Sequence, residues 1–325
     1  MLLTTDLKIG RILRNSMCSN LDYRHATHKQ GFDTSIRVIH MPNCFCIRHP
    51  LITLKISIEE VSRLHIHEEI IPDVVDKLAA KIEADQIFTN PIMVDEKSLV
   101  VLDGMHRVAA VQKIGYRFMP VCLIDYGNSN VVLSSWHRLL SESPSLNDVP
   151  AVVEKLGLTA EQTTWNTAYS GVENRVAETA IFLRERCFAI HGAHSSVKET
   201  YDLIKIIESR FRSKGCSITY DTADGAKQQV YSGKAAAGLM TPTLSKEEVV
   251  QVALSGKVFP QKATRHIVPA RPMGVDAPNE WLTGSISLEE ADNRLVELLS
   301  SKKIQRLAGG QVLDRRYEEE LYIFQ

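Results

Sequence analysis

Residues 99–124 carry a pattern that few arrangements can accommodate. Leu99-Val100-Val101-Leu102 is followed by Asp103-Gly104, by an amphipathic run from Met105 to Ile114, by Gly115, and by a second apolar run from Met119 to Ile124. A buried strand therefore passes at once into a helix, Gly115 suits the helix C-terminus, and the chain returns as a strand. Strands and helix of this kind require a sheet covered by a helical layer, which dictates an α/β fold. The turn also has chemistry. The unbonded N–H groups at the helix start, the positive end of its dipole and the Arg107 guanidinium make an anion site, and Gly104 lets the backbone turn closely around a ligand. On local grounds the same residues also read as a plain strand-to-helix turn with Asp103 as N-cap.

The flanking sequence extends the unit. Val74, Leu78 and Ile82, with Val75 and Ala79 beside them, recur at helical spacing, whereas Asp73, Asp76 and Lys81 fall off that face. Pro91–Val94 and Leu99–Leu102 enclose the turn Asp95-Glu96-Lys97-Ser98 and read as a hairpin. The expected organisation is an N-terminal extension over 1–50, an α/β domain over 51–142, and a second α/β domain over 143–325, entered through the polar joint at 141–145. In the second domain 186–190 reads as a strand. Ser196 with Glu199, and Ser245 with Glu248, form capping boxes that start helices. Residues 317–324 read as a final strand, and 233–238 as a flexible connection without the order of a phosphate loop.

Thirty-eight Lys and Arg against 39 Asp and Glu give a formal charge of −1, so no global positive field is available to hold nucleic acid or an anionic membrane. No stretch approaches the roughly 18 apolar residues of a membrane span, and a cytoplasmic protein is expected. The six cysteines are too sparse for a disulfide framework and are expected as reduced thiols. His40, Cys44, Cys46 and His49 include ligands suited to zinc or haem iron, but Cys-x-Cys is not the spacing of common structural zinc sites. Free thiols in a lightly packed segment are the expectation there.

Asp-Gly-x-His-Arg between a strand and a helix, with Pro91-Ile92-x-Val94 upstream and Gly115-Tyr116 leading to Pro120-Val121 downstream, resembles the ParB/sulfiredoxin superfamily. Within it the chain is most similar to the free L-serine kinases of siderophore clusters and archaea. His67-Glu68, Ser134-Ser135-Trp136-His137, Val258-Phe259-Pro260 and Thr264-Arg265-His266 match that subgroup in order, from about residue 60 to the C-terminus. Sulfiredoxin chemistry needs a cysteine immediately before the His-Arg pair. Met105 stands there and excludes it. The arginine-rich box and helix-turn-helix of ParB proteins are not evident.

The resemblance implies transfer of the terminal phosphoryl group of ATP or ADP to L-serine, with Mg2+, giving O-phospho-L-serine. A small-molecule substrate and nucleotide are the expected partners, and a non-enzymatic ParB-like regulator that binds DNA or nucleotide is the alternative. It places Glu68 as general base, with Glu69 as the fallback. Asp103 orients the site or holds Mg2+ through water, and Gly104, Met105, His106 and Arg107 meet the nucleotide phosphates. Arg265 binds the serine carboxylate or the product phosphate, with Thr264 and His266 as hydrogen-bonding neighbours, and Trp136 walls the pocket.

Overall fold

A computed structural model describes residues 37–41, 44–193 and 196–325, all within one contact unit, Asp33–Gln325. The first sheet is built from β1 (Arg37–Met41), β2 (Cys44–His49), β3 (Ile52–Glu60), β4 (Ile92–Asp95), β5 (Val101–Asp103) and β6 (Phe118–Ile124). Its order is β1-β2-β3-β6-β4-β5. Only the β4–β6 pair is parallel, and the expected hairpin appears as β4 against β5 with Met93 opposite Asp103. Helices α1 (Pro72–Asp85) and α2 (Met105–Ile114) belong to this unit.

The apolar face of α1 divides between two tasks. Val75, Ala79 and Ile82 are buried in the core, whereas Val74 and Leu78 face a cleft. The N-terminal segment differs from the expected extension. Phe45, Cys46 and Ile47 are buried in the first core, so β2 is an integral strand of its sheet. Cys-rich sequence without periodicity concealed it because inner strands need no alternation.

The second sheet holds β7 (His137–Leu140), β8 (Thr159–Thr163), β9 (Thr179–Leu183), β10 (Cys187–His191), β11 (Ile218–Asp221) and β12 (Ala237–Leu239), in the antiparallel order β8-β10-β9-β12-β7-β11. Helix α3 (Val197–Arg212) covers it, and its Ser196–Glu199 capping box is formed, as is Ser245–Glu248 at α4 (Lys246–Leu254). Two expectations shift. The 142/143 boundary does not separate the sheets, because His137–Leu140 is already an inner strand of the second. The segment expected as a flexible connection ends in β12, where a Cβ on Gly238 would overlap the Phe182 ring.

The chain then returns to the first sheet. Val249, Phe259, Ala270, Leu295 and Tyr322 are buried in the same core as Leu54 and Ile56. Helix α5 (Leu288–Ser301) carries Asp292, which accepts a hydrogen bond from the Ile58 N–H. β13 (Ala270–Met273), β14 (Ile304–Leu307) and β15 (Glu320–Phe324) close a small third sheet. Residues 137–242 thus sit as an insertion between two parts of one core, and the returning part brings the late motifs back to the early ones. No described helix is long and apolar enough to cross a membrane.

Candidate active site

The turn at Gly104 is built by sterics before it is built for a ligand. Gly104 adopts φ +105°, and a Cβ there would lie 2.3 Å from Ile92 Cγ2. Gly104 is itself the N-cap of α2, with no side-chain cap, so Asp103 does not cap the helix. Gly104→Ala is expected to destabilise the protein by about 2–4 kcal/mol through backbone strain and overlap with Ile92, which a denaturant melt would measure. At the other end Gly115 takes φ +84°, and its N–H bonds to the carbonyls of Gln112 and Val111, as the sequence suggested.

Asp103 faces three guanidiniums. Arg271 bonds it closely, and Arg107 and Arg315 stand at 3.6 and 3.7 Å. Burial alone would raise the Asp103 carboxyl, but these cations hold it well below the usual carboxylate range. Arg107 is likewise occupied, donating to the carbonyls of Asn90 (2.7 Å) and Pro91 (3.2 Å). Its Nη1 thereby fixes the Asn90-Pro91 wall, and the residue also lines the cleft. His106 Nε2 accepts the Ile71 N–H at 3.0 Å, tying α2 to the start of α1. Burial holds His106 below its usual range against the pull of Glu68, so the ring is neutral with its proton on Nδ1. The N–H groups of Met105 and His106 in the first turn of α2 have no intrahelical acceptor.

Glu68 is 8% exposed and lies on a backbone bridge to Phe259, so the His67-Glu68 and Val258-Phe259-Pro260 motifs are joined in space. Its carboxylate is held on one side by neighbours. Oε1 accepts the Thr264 N–H and bonds the Thr264 hydroxyl, both at 2.6 Å, and Oε2 accepts the Lys262 N–H at 3.1 Å. The Glu68 N–H reaches Met105 Sδ at 3.3 Å, linking this carboxylate to the α2 turn. Glu69 instead pairs with Lys205 of α3 at 2.6 Å. Behind Glu68, His67 is fully buried, and its Nε2 lies 2.8 Å from Thr264 Oγ1.

A cleft of about 740 Å³ joins these parts. Its lining includes the apolar Ile71, Val74, Leu78, Ile82, Ile87 and Phe88 as well as Glu68, the α2 turn, Trp136, Lys262 and Arg265. Trp136 is half-buried, with Lys262 Nζ and the Arg265 guanidinium 5.5 and 5.4 Å from its ring centroid. It is a wall rather than a core aromatic. Arg265 pairs with Glu318. Thr264 and His266 line the same cleft as Arg265, Thr264 bonding Glu68 and His67, and His266 bonding Tyr126 at 2.9 Å.

Lys262, Arg271 and Arg315 escaped the sequence reading because no motif names them. Their signal is positional, since Lys262 lies two residues before Thr264 and the other two converge on Asp103. Among the described residues no three His, Cys, Asp or Glu side chains gather to hold a metal. In the candidate cysteine cluster, Cys44 and Cys46 are free thiols with Sγ atoms 3.4 Å apart on an ordered strand, and His49 pairs with Glu320. The His40 side chain and Cys18 lie outside the described residues.

No protein-family model matches the chain. Among curated proteins it is 30% identical over 232 residues to an ATP-dependent L-serine kinase of Staphylothermus marinus, covering 69% of this chain and 89% of that one. It is 23% identical over 227 residues to the ADP-dependent L-serine kinase SerK of Thermococcus kodakarensis, covering 69% and 91%. A solved free serine kinase in complex with AMP has the same fold, with TM-score 0.58 and 24% identity over 70% of this chain and 93% of that one.

Proposed function

This chain belongs to the L-serine kinase family, and from that premise we propose that the cleft transfers the terminal phosphoryl group of ATP or ADP to the hydroxyl of free L-serine. The observation that carries the reading is Glu68, a buried carboxylate held on one edge by Thr264 and Lys262 and tied through Met105 to the α2 turn. Phosphoryl transfer to an alcohol needs an acceptor for the hydroxyl proton, in-line positioning, and positive charge around the moving oxygens. The serine Oγ–P bond forms as the donor P–O bond breaks, and Glu68 takes the hydroxyl proton.

The cleft's mixed lining, apolar and polar, suits a nucleotide. The Val74–Leu78 face of α1 covers an adenine, while the α2 N–H groups, the Nδ1–H of His106 and Lys262 meet the phosphates. Asp103 acts at one remove, since three guanidiniums gather at its Oδ2. The positive charge around it disfavours a metal ion there. The described residues therefore do not fit a protein-held Mg2+, and any such ion enters on the phosphates of the nucleotide. Arg265 beside Trp136 supplies the cation for the serine carboxylate. Free thiols and nucleotide chemistry fit a cytoplasmic setting.

Incubation with L-serine, Mg2+ and either ATP or ADP, followed by ³¹P NMR, is expected to reveal O-phosphoserine with at least one donor. Folded protein that binds nucleotide yet forms no product with either would overturn the reading. The ParB-like regulator is not favoured by relatives that are kinases.

A further inference from the structure

The contacts behind Glu68 contain more hydrogen-bond acceptors than one hydroxyl can serve. His67 Nδ1 lies 2.8 Å from the Val101 carbonyl, which can only accept, so Nδ1 carries a proton. Burial pushes the His67 ring below its usual range, outweighing the attraction of Glu68, and the neutral ring then presents a bare lone pair at Nε2. Thr264 Oγ1 stands 2.8 Å from that lone pair and 2.6 Å from Glu68 Oε1. It has a single hydrogen to give.

Resting on Glu68 as the base, we propose that His67 and Thr264 are positioning residues, with the Thr264 hydroxyl hydrogen turning from Glu68 to His67 as Glu68 receives the proton of the serine hydroxyl. Before transfer the carboxylate is the stronger acceptor and takes the Thr264 hydrogen, leaving His67 Nε2 without a donor in a buried site. After transfer, with the proton on Oε2, the neutral carboxyl keeps the Thr264 N–H at Oε1, the hydroxyl hydrogen goes to His67, and Oγ1 draws back from Oε1 because no hydrogen is left between them. His67 thus stabilises the protonated form of the base, and the Thr264 hydroxyl stabilises the ionised form. The movement is small: the hydroxyl rotates and Oγ1 separates slightly from Oε1. Other titratable groups around the network are His266, whose ring stands edge-on at 5.3 Å from His67, Tyr126 bonded to His266, and His106 and Lys262 on the cleft side of Glu68.

The two roles have opposite signatures in the pH dependence of kcat. In His67→Phe the alternative acceptor is gone, so the acid limb is expected to move down by about one pH unit and the plateau to fall about tenfold. In Thr264→Val the carboxylate loses a donor, and the acid limb is expected to move up by about one unit. Thr264→Ser, which restores the hydroxyl, brings the limb back toward the wild-type position. A purely structural role would lower kcat in all variants without opposed limb shifts. Limbs that stay in place, or move in the same direction, in folded variants with unchanged nucleotide KM would overturn the inference. Should His67→Phe not fold, the near-isosteric Val and Ser pair at 264 carries the test alone. Glu68→Gln separates the two levels: if that variant keeps full activity the base assignment itself fails, whereas an inactive Glu68→Gln with unmoved limbs at 67 and 264 removes only the positioning roles.

Discussion

Glu68→Gln is expected to lower kcat by about 10²- to 10⁴-fold, the range spanned by loss of a general base, with the nucleotide KM within about threefold of wild type. The amide is nearly isosteric. Its carbonyl oxygen can take the place of Oε1 and accept both the Thr264 N–H and the Thr264 hydroxyl, while its NH2 group faces the Lys262 N–H and loses only that contact, so the segment stays bridged to Phe259. What disappears is the capacity to take a proton. On the proposed reading the nucleotide meets the α1 face and the α2 turn, whose side chains the substitution leaves in place. Steady-state kinetics with serine and nucleotide varied separately would measure both quantities. A large rise in nucleotide KM alongside lost turnover would show that Glu68 shapes the phosphate site rather than the proton transfer. Glu69→Gln should be mild by comparison, because Glu69 is spent on Lys205 of α3.

The contrast between these adjacent glutamates marks what sequence can convey. A strand-turn-helix such as 99–114 is legible because its determinants lie within a few residues: an apolar run, a glycine that must take positive φ, a helical stripe. The capping boxes at Ser196 and Ser245 are legible for the same reason. Glu68 is legible only through family resemblance, since nothing local distinguishes it from Glu69. The environment that separates them lies elsewhere in the chain, with Thr264 196 residues downstream of Glu68 and Arg271 168 residues beyond Asp103. The His67 and Thr264 motifs were therefore read as two separate features, whereas they form one hydrogen-bonded layer. Arg107 shows a related limit: a guanidinium beside an anion-binding turn can also fasten carbonyls, and the places of Asn90 and Pro91, which take its Nη1, are not legible nearby. The insertion of 137–242 within one core was invisible because each of its strands is locally ordinary.

The loop that holds Glu68 is itself held from the inserted sheet, and this gives the largest expected effect on stability. Arg138 of β7 is fully buried. Its Nε donates to Glu208 of α3 at 2.5 Å, and its terminal nitrogens donate to the carbonyls of Trp136, Lys262 and Gln261 at 2.7, 3.1 and 3.2 Å. Removing one partner of such a pair leaves an uncompensated buried charge, so Arg138→Met is expected to destabilise the protein by about 3–5 kcal/mol. Glu208 is then left with the Arg212 pairing at 4.0 Å among the described residues. Pairing the substitution with Glu208→Met removes the stranded carboxylate and should recover much of that loss, as apolar replacements of buried ion pairs do. Catalysis should not follow. The 261–262 carbonyls remain unanchored in the double variant, and this segment supplies the Lys262 N–H to Glu68 and leads into Thr264. The expected result is a denaturation midpoint close to wild type with kcat still reduced about tenfold or more, the scale on which small misplacements of catalytic groups act. Recovery of stability and kcat together would mean that the Glu68 loop keeps its shape without Arg138, and that the inserted sheet contributes to folding alone.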